Sequence, residues 1–154
     1  MTFLILKWVH ILSAMLLLGT GLGSAFYVWR ANRAGNLQAM RFVLRNVILA
    51  DWLFTVPPIA LLPVTGVWMM RLKGYAFSEL WIWLSLVLFG IAGLCWVPAA
   101  VLQYKMKALA EQSPDKERLP SRYWQYERLW SILGAAAFPP AIVIFTLMIF
   151  KPVG

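Results

Sequence analysis

The sequence predicts an all-α polytopic membrane protein, a four-transmembrane-helix up-down bundle with both termini outside. Three observations carry that expectation. The 154-residue chain is 62% hydrophobic and only 13% charged, with a mean hydropathy of +0.73; a soluble domain is nearer half apolar and about a quarter charged. Its apolar residues gather into four stretches, each able to supply the ~20 residues that cross a bilayer. Its basic residues are divided unevenly between the connections.

The first stretch covers residues 3–29. It exceeds the apolar run of a signal peptide, Lys7 lies inside it rather than ahead of it, and a second span follows closely, so it reads as retained. The second, 43–70, holds Pro57, Pro58 and Pro63; the third, 80–101, holds Pro98; the fourth, 129–150, holds Pro139 and Pro140. A proline inside a helix cannot donate to the carbonyl four residues back. The carbonyls of Leu53, Phe54, Ala135 and Ala136 are therefore expected to lose donors, and the second and fourth helices to be kinked toward the bundle interior, where protein or water can satisfy them. Arg45 before Pro57–Pro58 and Arg128 before Pro139–Pro140 suggest a parallel repeat of two hairpins. The four spans take up most of the chain, which reads as one domain over residues 1–154.

Orientation follows from charge. The first connection carries Arg30, Arg33, Arg41 and Arg45, and the third carries Lys105, Lys107, Lys116, Arg118, Arg122 and Arg128. The opposite side has Lys7, Arg71, Lys73 and Lys151, so the positive-inside rule places the basic connections in the cytoplasm. Trp8, Trp68, Trp81 and Trp83 fall near one boundary and Trp29 and Trp124 near the other, as aromatic belts do. The net charge of +8 is thus a topology signal that suits anionic lipid headgroups; a nucleic-acid partner is not expected, because no reading motif accompanies it. One cysteine, Cys95, excludes an internal disulfide and a cysteine metal cluster. No phosphate-binding loop, paired carboxylates or Ser–His–acid set at one depth points to hydrolysis or group transfer.

Within the spans, Gly19 and Gly23 form a GxxxG spacing that admits a close neighbouring helix, from this chain, a homodimer or a partner membrane protein. Asp51 and His10 are ionisable residues at membrane depth, where such groups mark function. Counted along the helices they lie in different halves of the bilayer. Asp51 reads as an ion pair with Arg45, Arg30 or Arg128, or as part of a relay with Thr55. His10 reads as a hydrogen-bonded imidazole or an axial haem ligand. A bis-His haem needs a second copy of this single-His chain, and a His/Met haem needs Met69, Met70 or Met148, which sit nearer the outer surface.

Several segments resemble the bacterial family of predicted integral membrane proteins filed as domain of unknown function 2269. They are His10-Ile-Leu-Ser with Gly19-Thr-Gly-Leu-Gly-Ser-Ala-Phe26, Ala50-Asp-Trp-Leu-Phe54, Pro63-Val-Thr-Gly66 and Gly93-Leu-Cys-Trp-Val-Pro98. The resemblance implies a four-helix protein of the bacterial inner membrane. More distantly, a His in the first helix followed by small residues is similar to membrane-type protoporphyrinogen oxidases and copper-resistance D proteins, but the second ligand of those patterns is missing here. The leading expectation is a binding role, with His10 and the Pro-broken helices lining an interior site and haem as its specific ligand. The alternatives are an assembly subunit docking a helix on Gly19/Gly23, and a small proton- or ion-coupled transporter using Asp51.

Overall fold

A computed structural model describes residues 1–115 and 119–152; Lys116 and Arg118 of the charge pattern lie outside them. Helix α1 spans Thr2–Ala34, α2 Leu37–Ala50, α3 Val56–Lys73, α4 Leu80–Gln112 and α5 Ser121–Phe150, with a π turn at Asp51–Thr55 joining α2 to α3. Among the described residues all regular structure is helical. Four helices are long and apolar enough to cross a membrane, α2 to α3 counting as one of 37 residues.

The turns have local causes. Gly35 ends α1 at φ 74°, the left-handed conformation glycine adopts at no steric cost. Asn36 then caps α2, its side-chain oxygen accepting from the Gln38 and Ala39 amides at 2.9 and 3.2 Å. The connection after the first span is therefore two residues long. At the end of α3, Gly74 is again left-handed, and its N–H donates to the Arg71 carbonyl while Tyr75 N–H donates to Met70, a Schellman closure.

The helices outrun the spans expected from hydropathy. At 1.5 Å per residue, 30 to 37 residues extend about 45–55 Å, against a hydrocarbon core of ~30 Å. Arg30, Arg33, Arg41, Arg45, Lys105, Lys107, Arg122 and Arg128 thus ride on helical extensions rather than on loops. Here Arg41 donates to the Ala110 and Ser113 carbonyls at the end of α4, and Arg45 pairs with Glu111 at 2.7 Å.

α1 packs along α3, α4 along α5, and α2 joins the two pairs by touching α1 and α4. The larger apolar core lies toward the basic end, built on Met40, Leu44, Met106 and Tyr123, all buried almost completely. A smaller one, Met70, Trp81, Ile82 and Leu147, closes the end that carries the termini. The reason is solvent: apolar burial is driven by water, and lipid supplies no such drive between helices. The prolines act unequally. α4 and α5 run uninterrupted through Pro98 and Pro139–Pro140. Only the Pro57–Pro58 pair is accompanied by a change in the ladder, the π turn before it, so the two expected halves of a repeat are not alike.

Candidate functional site

Two polar centres stand inside the spans. The first is built on the π turn. Val56 N–H reaches back five residues to the Asp51 carbonyl. The two prolines that follow cannot donate, which leaves the carbonyls of Leu53 and Phe54 without helical donors as expected, and the extra residue of the wide turn adds Trp52 to them. The wide turn holds Asp51 at 8% exposure and Thr55 at 3%. Thr55 Oγ1 donates to Asp51 Oδ1 at 2.8 Å. Gln103 of α4, itself buried, comes near the carboxyl, yet Oδ2 has no hydrogen bond among the described residues. Beside this centre, on the surface, Trp52 Nε1 donates to the Tyr104 hydroxyl at 2.7 Å and ties the π turn to α4.

Two of the three cations expected around Asp51 are engaged elsewhere: Arg45 is held by Glu111, and Arg30 lies over the Trp29 ring. Asp51 takes part in no ion pair among the described residues. An ionised carboxylate left this way in low dielectric is costly, so the site calls for a proton or a cation.

The second centre joins α1 to α3. His10 Nδ1 lies 2.8 Å from Thr65 Oγ1. The Thr65 hydroxyl also stands 2.6 Å from the Leu61 carbonyl; when it donates there it accepts from the imidazole, and in that tautomer Nδ1 carries the hydrogen and Nε2 keeps its lone pair. Gly66 makes the seat: a Cβ there would stand 3.3 Å from His10 Cε1. A neutral ring anchored through one nitrogen is how metal-binding imidazoles are oriented. Two of the three methionines that would complete a haem site are placed elsewhere. Met70 is buried in the apolar cluster at the termini end, with Met148 packed against it. Met70 is also five residues past Thr65, about 7 Å along the helix.

His10 and Asp51 are not brought together. Fourteen residues of nearly continuous helix separate Asp51 from His10's partner Thr65, about 21 Å. Gly19 and Gly23 have nothing within 4 Å of where a Cβ would stand, so this chain packs no helix against them; of the three neighbouring glycines only Gly21 meets a side chain, Phe138 at 4.0 Å. Sequence reasoning did not pair His10 with Thr65–Gly66, although both lay in the segments that carried the family resemblance. It also ended the third span at residue 101 and so passed over Gln103, the amide that faces Asp51.

Four apolar helices with buried ionisable groups define a multi-pass integral membrane protein. The chain belongs to the family described as predicted integral membrane protein (DUF2269), which it matches over residues 4–152. No curated protein and no solved structure matches it.

Proposed function

We propose that this protein is a small transporter or relay of the bacterial inner membrane whose working group is the Asp51 carboxyl, which binds a proton or small cation beside Thr55 and Gln103. One observation carries the reading: a carboxyl only 8% exposed, one of whose oxygens has no partner at hydrogen-bonding geometry among the described residues, on a π turn. Such turns recur at functional sites, and native structures rarely leave a buried polar atom unpaired. The eight described basic residues on the helical extensions suit anionic headgroups, which would hold this end at the cytoplasmic surface. The test is flux of protons, sodium or potassium into vesicles carrying the purified protein. Asp51→Asn is expected to abolish the protein-dependent part; flux that survives the substitution removes Asp51 from the mechanism.

A second reading rests on His10, whose anchored Nδ1 leaves Nε2 available. In it a homodimer, or a partner membrane protein, seats on the outward Gly19–Gly23 face and supplies the second ligand of a haem. Oxidised and dithionite-reduced absorption spectra of the purified protein, beside His10→Ala, decide it. A Soret band lost in the variant supports the reading, and a colourless protein expressed with ample haem ends it.

A further inference from the structure

The seam between α1 and α3 reverses the usual distribution of polarity. Along α1 as far as Ser24 the buried residues are Ser13 and Ser24, while Leu12, Met15, Leu16 and Leu22 face outward. Across the seam the buried residues are Asp51, Thr55, Pro58 and Thr65. The step of seven residues keeps Pro58 and Thr65 on one face of α3, and the π turn packs against α1 as well. The His10–Thr65 bond sets the antiparallel register. Counting down from it, Thr20 stands level with Thr55, and Ser24 level with Asp51. The acid and the imidazole of the spans therefore close opposite ends of one hydroxyl-lined seam. Between Ser13 and Thr20 lies an interval of about 10 Å, flanked by Leu17 and Pro58.

Resting on the reading of Asp51 given above, we infer that the species handled is a proton and that it passes between Asp51 and His10 along the α1–α3 seam. A metal cation needs several converging ligands, and Asp51 is the one carboxylate among the described residues buried along the seam. No group of three or more His, Cys, Asp or Glu side chains able to hold a metal occurs among the described residues. Hydroxyls, water and a neutral imidazole, in contrast, are the ordinary parts of an intramembrane proton relay. Protonated Asp51 releases its proton into the seam. In the tautomer whose Nδ1 donates to Thr65, His10 receives one at Nε2 and gives it up toward the termini end. One proton enters and one leaves, and no electron or co-reactant is required. The path requires water to enter the Leu17–Pro58 interval, where Pro58 is fully buried.

The test reconstitutes the full chain into liposomes that enclose a pH-sensitive dye. A potassium diffusion potential drives proton entry, and sodium and potassium uptake are followed in parallel. Wild type is compared with Asp51→Asn and His10→Gln, each checked for unchanged elution in detergent, and with Thr65→Ser, which keeps the hydroxyl. Proton entry above protein-free vesicles, reduced at least tenfold in Asp51→Asn and in His10→Gln but kept in Thr65→Ser, is the expected result. Entry lost in Asp51→Asn but kept in His10→Gln overturns the path while the Asp51 reading stands. Asp51-dependent sodium or potassium uptake without proton entry overturns the proton assignment alone. No flux of any of the three overturns both.

Discussion

Asn32 and Tyr123 show what single residues contribute at the basic end. Tyr123 is fully buried and its hydroxyl donates to Asn32 Oδ1 at 2.7 Å, tying the end of α1 to the start of α5. Asn32 Nδ2 is buried without a partner among the described residues, so this contact already runs at a polar deficit. Tyr123→Phe removes the donor to Oδ1 as well and is expected to lower stability by about 1–3 kcal/mol, the cost of stranding a buried polar group. Adding Asn32→Leu removes the stranded group and should recover much of that loss, because exchanging both partners for apolar groups is far milder than removing one. Unfolding of wild type and the two variants in detergent measures the difference. A double variant less stable than Tyr123→Phe alone would mean that the pair matters through its shape rather than its hydrogen bond. The His10–Thr65 contact differs in setting, since it lies among helices in the membrane, where such bonds average only about 0.6 kcal/mol.

At the scale of an element, the π turn decides which face α3 presents. One extra residue in a helical turn rotates everything beyond it by about 100°. The turn therefore sets the rotation at which α3 meets α1, and with it the contact of Thr65 with His10. We attribute it to the two consecutive prolines, which cannot serve the carbonyls behind them. Pro57→Ala with Pro58→Ala restores both donors, and the segment is expected to return to the four-residue register, carrying Thr65 away from His10. Disulfide formation between Ser13→Cys and Leu62→Cys, level in the seam, reads this out in a Cys95→Ser background. The yield should fall several-fold when the prolines are replaced. An unchanged yield would assign the wide turn to the Asp51–Thr55 bond rather than to the prolines. The contrast with α5, continuous through Pro139–Pro140, shows that paired prolines alone do not interrupt a helix.

The molecule as a whole is divided by its solvents. Toward the basic end the helices carry apolar faces inward and arginines and lysines outward, and there the larger core forms. Between the two apolar cores, the α1–α3 seam holds hydroxyls and a carboxyl, with leucines turned outward. The charge asymmetry predicts the basic end in the cytoplasm. In a Cys95→Ser background, Gln112→Cys should react with an impermeant maleimide only in inverted vesicles, and Lys151→Cys in intact cells with their outer membrane permeabilised. The reverse pattern would invert the topology and with it the direction assigned to the Asp51 site.

Four spans, an all-helical chain and its family were legible before any coordinates, because hydropathy and charge act on each segment separately and need no knowledge of its neighbours. Asp51 and His10 were legible as well, since an ionisable residue in an apolar run is conspicuous wherever it packs. Their surroundings were not. Arg45 lies six residues from Asp51 in sequence yet pairs with Glu111 of α4, while Gln103 faces the carboxyl from a helix whose rotation no local pattern specifies. Gly19 and Gly23 read as a packing face, but whether a helix of the same chain fills such a face depends on how all four helices are turned. Helix ends were not legible for a related reason: hydropathy marks where the apolar run stops, and these helices continue beyond it on amphipathic faces that only their neighbours complete. Partner choice between helices turns on rotation and register, and those are set by contacts distant in sequence.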